Sequence, residues 1–355
     1  MTRENDNYET VVQNTGTETV AQFGNTKKGF MAQLQHLLHV NPALVPLFVL
    51  VASIAVFGLL LGSKFFSPFA LTLILQQVQI VGIVAAAQSL VILTAGIDLS
   101  VGAIMVLSSV VMGQFTFRYG MPVELAIMCG LLTGMICGYI NGWLVAVMKL
   151  PPFIVTLGMW QIVLATNFLY SANETIRAQD IEANAPLLQV FATKFEVGGA
   201  VLTVGVIFMV LLILVLSYAL KQTAWGRHVY AVGDDPEAAQ LSGVNVRRTL
   251  ISVYVLSGLI CAFAGWALIG RIGSVSPTSG QLANIESITA VVIGGISLFG
   301  GRGSILGALF GALIVGVFTL GLRLAGADAQ WTFLLIGALI IGAVAVDQWI
   351  RKVSA

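Results

Sequence analysis

Ten apolar runs, each close to 20 residues long and nearly free of charged side chains, occupy most of this 355-residue chain. A helix needs about 20 mostly apolar residues to cross the hydrocarbon core of a bilayer. Only 9% of the residues are charged, whereas a soluble domain carries about 25%. Because so few charges cannot cover a water-exposed surface, we predict an all-α, polytopic bundle of transmembrane helices.

The span count depends on two short links. The predicted spans are 44–62, 69–93, 99–117, 123–148, 152–170, 198–220, 249–270, 284–301, 303–325 and 331–349. Very short links, near 94–98 and at Arg302, join two pairs of these runs. One of the pairs can instead form a re-entrant hairpin, which leaves eight or nine spans as the alternative.

The distribution of basic residues predicts the orientation. With the amino terminus in the cytoplasm, eleven of the 17 Lys and Arg residues fall inside and six outside. Because cytoplasmic loops carry the excess of Lys and Arg, we predict that both termini are cytoplasmic.

The remaining segments divide the chain into a tail, a surface helix and a membrane domain. Residues 1–29 are polar and predict a disordered cytoplasmic tail. Residues 30–41 place apolar side chains on one helical face, which indicates an amphipathic helix at the membrane surface. We expect 42–355 to be the transmembrane domain, with an outer loop at 171–197 and a cytoplasmic loop at 221–248.

Charge and cysteine content exclude several classes of protein. A net charge of +1 gives no reason to expect nucleic acid as a partner. The cysteines Cys129, Cys137 and Cys261 lie inside apolar runs and form no CxxC pair, so we expect neither a disulfide framework nor a metal site. His36 and His39 are three residues apart but have no acidic neighbour.

A short internal echo relates the two halves. Gly96-Ile97-Asp98-Leu99 with Gly102 resembles Gly295-Ile296-Ser297-Leu298 with Gly301, at an offset of 199 residues. Transporters are commonly built from two related halves, so the echo is consistent with an internal duplication. A chance match in a glycine-rich chain is the alternative.

Glycines at fourfold spacing indicate close helix packing. Gly130, Gly134, Gly138 and Gly142 form one stripe, and Gly303, Gly307 and Gly311 form another. Such spacing places glycines on one helix face, where two backbones can approach. We therefore expect a tight bundle or a contact between two copies.

Amide side chains inside the spans are candidate contacts for a polar ligand. Gln77, Gln88, Asn141 and Gln161 lie in the second, fourth and fifth runs. Amides both donate and accept hydrogen bonds, which suits a neutral polyol. Hydrogen bonding between helices is an equally good explanation for any one of them.

Asp98 stands between two long apolar runs. Together with Ser100 it is typical of the start of a helix, so a helix cap is one interpretation. A contact that gates a path through the bundle is the other, because a carboxylate near the membrane interior is costly and usually functional.

The cytoplasmic loop contains a short capped helix. Asp234, Asp235, Pro236, Glu237, Ala238 and Ala239 begin it, and Gly243 suits its carboxyl end. Acidic residues near the amino end of a helix are favourable. We expect this helix to dock into another protein.

The loop also carries a resemblance to a known family. Glu237-Ala238-Ala239 followed by Gly243 resembles the EAA loop of bacterial ABC importer permeases, and residues 94–102 resemble a signature of their monosaccharide branch. Residues 150–158 and 290–295 extend the match, which covers roughly 44–350. Segments 173–180 and 348–352 are most similar to fructose import permeases of rhizobia.

The resemblance implies a homodimeric permease of the bacterial inner membrane that carries a monosaccharide and is not itself an enzyme. It also implies a separate cytoplasmic ATPase, which residues 234–239 and Gly243 would contact, and a periplasmic sugar-binding protein. No GxxxxGK[ST] phosphate loop occurs in the sequence, and no cofactor is expected. An ion-coupled secondary transporter and a passive polyol channel are the alternative functions.

Overall fold

The structure is a computed structural model that describes residues 43–354. The predicted tail (1–29) and the predicted surface helix (30–41) lie outside the described residues. At the other end, most side chains of 346–354 are likewise not described.

The described chain is mostly helical, with one small hairpin. The helices are α1 (Leu44–Leu61), α2 (Pro68–Leu93), α3 (Val101–Phe117), α4 (Val123–Ala146), α5 (Pro152–Ser171), α6 (Ala178–Asn184), α7 (Val204–Gln222), α8 (Ala224–Asp234), α9 (Pro236–Leu241), α10 (Val246–Ile272), α11 (Ala283–Ile293), α12 (Ile305–Leu324) and α13 (Ala329–Ser354). Short 3-10 turns occupy Gly62–Lys64 and Pro186–Ala192. Strands β1 (Lys194–Val197) and β2 (Ala200–Thr203) pair antiparallel.

Each predicted apolar run contains a helix, which confirms the all-α polytopic class. Within residues 43–354, seven helices are long and apolar enough to cross a membrane, and three shorter apolar stretches lie at Val101–Phe117, Ala283–Ile293 and Gln330–Ala345. The predicted span 284–301 is wrong in extent, because its helix ends at Ile293. Its 11 residues reach about 16 Å at the α-helical rise, roughly half of a hydrocarbon core.

The glycine stripes pack helices against each other within the chain. A Cβ atom on Gly134 would meet the backbone of Gly258, and one on Gly138 would meet the backbone of Tyr254, so α4 lies directly against α10. In the second stripe, Gly307 and Gly311 approach the backbones of Gly294 and Ala290, whereas Gly303 lies before α12 begins and is not part of a helix face. Small residues thus allow the close packing that holds a bundle together in lipid.

Helix α2 runs through the centre of this bundle. From Val78 to Leu93 every side chain of α2 is buried, the amides Gln79 and Gln88 included. Ser67 caps its amino end by accepting a 3.1 Å hydrogen bond from the backbone N–H of Ala70, and Pro68 follows at the first helical position. The centre of the bundle is therefore formed by a helix that has neighbours on all sides.

The β1–β2 hairpin belongs to the predicted outer loop and shortens the next predicted span. Residues 198–220 are predicted as a span, but the chain turns at Gly198 and Gly199, forms β2, and enters α7 only at Val204. Both glycines have positive φ angles (59° and 83°), as tight two-residue hairpin turns require. Thr203 ties the hairpin to α2 through a 2.7 Å hydrogen bond from its hydroxyl to Gln79 Oε1.

Candidate functional site

Two non-helical breaks interrupt the bundle, one after α2 and one after α11. Each helix ends with a residue in the left-handed conformation, Ala95 (φ 60°) and Gly295 (φ 77°). In each break, the backbone N–H of the following residue donates a hydrogen bond to a carbonyl oxygen in the last helical turn. Gly96 donates to Val91 (3.1 Å), and Ile296 donates to Val291 (3.2 Å). The two breaks coincide with the two copies of the predicted internal echo, although these caps match at an offset of 200 rather than 199. The duplication itself stays a prediction.

Asp98 organises the first break. Its Oδ1 atom accepts hydrogen bonds from the backbone N–H of Ser100 (2.7 Å) and from the Ser100 hydroxyl (2.6 Å). Asn141 on α4 donates to the same hydroxyl oxygen at 2.9 Å. All three side chains are buried. The carboxylate thus fixes the backbone just before α3 begins at Val101, and the bonds among these residues connect it to α4.

Two further side chains hold the same segment. In the amide orientation that satisfies both of its polar atoms, Gln88 donates to the Asp98 carbonyl oxygen (2.9 Å) and accepts from the Asp98 N–H (3.3 Å). The Thr156 hydroxyl donates to the Ile97 carbonyl oxygen at 2.9 Å. Backbone groups that leave a helix inside a membrane need such partners, because unpaired ones cost several kcal/mol.

The two breaks contact each other directly. The backbone N–H of Gly301 donates to the Leu93 carbonyl oxygen at 3.0 Å. A Cβ atom on Gly300 would lie 2.7 Å from the backbone nitrogen of Ala95. Only glycine at position 300 allows these two backbone segments to approach so closely.

Helix α8 packs onto both breaks. A side chain at Gly233 would collide with the Leu93 carbonyl and with the backbone nitrogen of Gly301. Tyr230 donates from its hydroxyl to the Gly303 carbonyl oxygen at 2.9 Å. Burial raises the pKa of Tyr230, so the phenol keeps the proton that it donates. Trp225 adds a 2.8 Å hydrogen bond from Nε1 to the Ser252 hydroxyl of α10.

The predicted docking helix is present as α9, and its caps follow the prediction. Asp235 Oδ1 accepts hydrogen bonds from the N–H groups of Glu237 (2.9 Å) and Ala238 (3.0 Å), and Pro236 occupies the first helical position. Gly243 has a φ angle of 87° and ends the helix. Only Ala239 is buried among the residues of α9.

The outer face of α9 and its flanks is solvent-exposed. Asp234, Asp235, Glu237, Ala238 and Gly243 are all exposed. Leu241, a large apolar side chain, is 91% exposed. Helix α9 therefore presents one large apolar side chain, Leu241, on an otherwise polar exposed surface.

A cavity of about 410 Å³ lies between α3, α5 and the segment that leads into α11. Leu99, Gly102, Ala103 and Val106 line it from α3 and the residues just before it, and Trp160, Leu164 and Asn167 line it from α5. Pro277 and residues 279–282 supply non-helical backbone. Such backbone is tolerated at membrane depth only where it is buried in protein or lines a cavity.

Asn167 is the buried amide of this cavity. Its Nδ2 group donates to the Pro277 carbonyl oxygen at 2.9 Å. Its Oδ1 atom is buried and has no hydrogen-bond partner within residues 43–354. On the opposite wall, Asn284 Oδ1 accepts from the backbone N–H of Gly102 at 2.5 Å, which fixes α11 against the first turn of α3.

The four predicted ligand amides occupy other positions. Gln88 and Asn141 hold the first break, as described above. Gln77 accepts a 2.5 Å hydrogen bond from Arg271, and Gln161 is exposed on α5. None of the four lines the cavity. Their role in a ligand path stays a prediction.

Asn284, Trp160 and the close approach of Gly233 were not singled out from sequence. Asn284 is a polar side chain and Trp160 an amphipathic one, each inside an apolar run, and this could have marked them as weak candidates. The contact of Gly233 carried no such signal, because it depends on how α8 lies against segments more than 60 residues away in sequence.

Fold and site together define a multi-pass helical membrane protein with an exposed capped helix, two helix breaks and a cavity beside them. Residues 70–344 match the family described as branched-chain amino acid transport system / permease component, and the chain belongs to this family. It is therefore a transporter component rather than an enzyme, and a multi-pass protein of the inner membrane.

Curated relatives narrow the class. The fructose import permease protein FrcC of Rhizobium meliloti is 73% identical over 98% of this chain and 96% of its own length. The ribose import permease protein RbsC of Bacillus subtilis is 38% identical over 87% of this chain and 92% of its own. The xylose transport system permease protein XylH of Escherichia coli is 32% identical over 79% and 85%. No solved structure is significantly similar to the chain.

Proposed function

We propose that this chain is the permease of an ATP-binding-cassette importer that carries a monosaccharide into the cytoplasm, with fructose as the first candidate. Family membership and the sugar permeases among its relatives support the class of transporter. The choice of fructose rests on the relative that is 73% identical to this chain. Ribose and xylose remain the alternatives that the other relatives indicate.

The observation that carries this proposal is the path from α9 to the two helix breaks. The exposed helix α9 continues directly from α8 through the capping residue Asp235. Helix α8 in turn lies against Leu93 and Gly301, where the breaks meet. A displacement of α9 by a bound protein would therefore act on both breaks together.

The energy source is a second chain. The sequence holds no phosphate-binding GxxxxGK[ST] motif, so nucleotide is hydrolysed by an ATPase subunit docked on α9. Asp234, Asp235, Pro236, Glu237, Ala238, Ala239 and Gly243 form the coupling surface, and Leu241 is its apolar anchor. The acidic residues near the amino end of α9 make the surface complementary to a basic cleft.

The outer loop 171–197 receives the sugar from a periplasmic binding protein. Several contacts hold it to the rest of the chain: Ile176 pairs with Val275 in an antiparallel bridge, Gln189 Nε2 donates to the Gly273 carbonyl oxygen at 3.1 Å, and Trp266 Nε1 donates to the Leu187 carbonyl oxygen at 3.2 Å. A loop of this length with its own secondary structure is usually functional. A second copy of the permease completes the pathway.

Transport then follows from switching at the breaks. The Asp98–Ser100–Asn141 network holds the first break in one of two arrangements, and movement of α8 releases it. Asp98 acts here as a gating residue that stabilises the closed arrangement through its bonds to Ser100. Discontinuous helices are common at the moving parts of transporters.

Uptake in cells tests the function. The permease is expressed with its ATPase and binding protein in cells that lack other importers of these sugars, and uptake of labelled fructose, ribose and xylose is measured. We expect concentrative uptake of at least one monosaccharide, with fructose taken up fastest. Failure to accumulate any monosaccharide, with all three proteins present in the cell, would contradict the proposal.

A further inference from the structure

We infer that the cavity between α3, α5 and α11 is the chamber through which the monosaccharide passes, and that Asn167 and Trp160 recognise the sugar there. This inference rests on the proposed function and adds a substrate-binding site to it. The four amides predicted from the sequence do not line this cavity.

The size and chemistry of the cavity suit a small neutral polyol. Its volume of about 410 Å³ lies in the range of small-molecule sites, about 300–1,000 Å³. The lining includes Asn167, Ser279, Gln281 and Asn284 as polar side chains, and no charged side chain is among the lining residues. An ionic substrate would lose its hydration there without gaining a partner, whereas hydroxyl groups can pair with amides.

Asn167 has an unpaired acceptor atom next to the cavity. The side chain is 1% exposed, and its Nδ2 group is fixed by the 2.9 Å bond to Pro277. That bond sets the orientation of the amide, and within the described chain the Oδ1 atom is left without a partner. A buried acceptor without a partner costs about 1–3 kcal/mol, and a sugar hydroxyl that reaches this atom when the chamber opens during transport would remove this cost.

Trp160 supplies an apolar wall seven residues before Asn167. Residues 160, 164 and 167 lie on one face of α5, since helix neighbours recur at three and four positions. An indole ring covers the C–H face of a sugar ring, and the amides bind its hydroxyl edge. Small-molecule sites commonly combine apolar and aromatic walls with a few placed polar groups.

The position of the chamber agrees with a place on the transport path. The segment before α11 runs from Val275, paired with Ile176 of the outer loop, down to Asn284, bonded at the first turn of α3. It therefore connects the outer loop with the first break. In many transporters the substrate site lies beside discontinuous helices near the middle of the bilayer.

The test uses the complete importer reconstituted in vesicles. Uptake of labelled fructose, ribose and xylose is measured in the same assay. Asn167→Leu and Trp160→Leu are compared with Thr166→Val. Thr166 neighbours Asn167 on α5, is exposed, and bonds only within its own helix (2.8 Å to Ile162). Binding-protein-stimulated ATP hydrolysis is measured in each sample to show that docking and switching persist.

We expect each chamber variant to lower maximal sugar uptake by about three- to tenfold, the effect of one lost hydrogen bond or apolar contact, while ATP hydrolysis continues. The ratio of uptake among the three sugars should also change, which a merely structural role would not produce. Thr166→Val should match the parent in every respect.

Parental uptake and parental sugar ratios in both chamber variants would overturn the chamber while leaving the importer function intact. If Asn167→Leu does not reach the vesicle membrane, Trp160→Leu decides, because Trp160 is only partly buried and Leu retains an apolar side chain at this position. Absence of ATP-dependent uptake in the parental complex would instead contradict the proposed function.

Discussion

The backbone N–H of Gly301 donates a 3.0 Å hydrogen bond to the carbonyl oxygen of Leu93, so the last turn of α2 is joined to the break that follows α11. The two residues are more than 200 positions apart in sequence. Gly233 of α8 lies against both atoms of this bond. Any movement of α8 therefore reaches the two breaks at the same point.

Replacing Gly233 by Val should uncouple transport from ATP hydrolysis. A side chain there cannot fit beside the Leu93 carbonyl and the Gly301 nitrogen, and such overpacking costs about 1–3 kcal/mol. We expect sugar uptake to fall about tenfold or more while the ATPase still co-purifies, because α9 is unchanged. Gly158→Val is the control, since a Cβ atom on this helical glycine meets nothing within 4 Å. Parental uptake in Gly233→Val would show that α8 does not drive the breaks.

Replacing Gly243 by Leu should weaken the end of α9 through backbone strain. Its φ angle is 87°, and no atom lies within 4 Å of a Cβ added there. A larger residue would therefore destabilise this turn through backbone strain and not through a steric collision. The left-handed region costs an ordinary residue about 1–2 kcal/mol. We expect reduced ATPase co-purification and reduced uptake in Gly243→Leu. Gly243→Asn should be close to the parent, since Asn tolerates this conformation. If Gly243→Leu and Gly243→Asn show the same ATPase co-purification and the same uptake, backbone strain at position 243 is not the cause of the effect.

Leu241→Gln should reduce ATPase binding without changing the permease itself. The side chain is 91% exposed, so its replacement removes no internal packing. If it is the apolar anchor of the coupling surface, its loss should weaken the complex by about 1–3 kcal/mol, seen as faster ATPase dissociation. Leu241→Met keeps the apolar volume and should retain binding. Unchanged dissociation in Leu241→Gln would remove this residue from the docking surface.

Gln88→Leu and Asn141→Leu should destabilise the first break. Each replacement removes a hydrogen bond from a buried partner, the Asp98 backbone or the Ser100 hydroxyl oxygen, at about 1 kcal/mol or more. We expect a lower melting temperature of the purified permease in detergent. Gln161→Leu, at an exposed position on α5, should melt like the parent. If all three variants melt alike, the amides contribute no stability to the break.

The periodic and compositional features of the chain were predictable from sequence. Ten apolar runs each contain a helix, and the glycine stripe from Gly130 to Gly142 packs as its spacing indicates. The capped helix α9 was predictable as well, because Asp235, Pro236 and Gly243 act through local backbone geometry. These features depend on neighbours in sequence.

Other features were not predicted, either because a local cap or turn signal was missed or because they depend on distant contacts. Residues 284–301 are apolar enough to span, yet α11 ends at Ile293 because its last turn closes with the left-handed cap at Gly295. The β1–β2 hairpin had a signal in Gly198-Gly199 between alternating residues. Among the amides, composition alone could not show which of Asn141 and Asn167 lines a cavity and which holds the backbone.

The measurement that tests the central claim most directly is sugar accumulation in sealed vesicles that hold the permease, its ATPase and its binding protein. We expect ATP alone to drive accumulation, a protonophore to have little effect at constant ATP, and omission of the ATPase to abolish uptake. Accumulation by the permease alone under an imposed pH or sodium gradient would contradict the ATP-driven mechanism and place the protein among ion-coupled transporters.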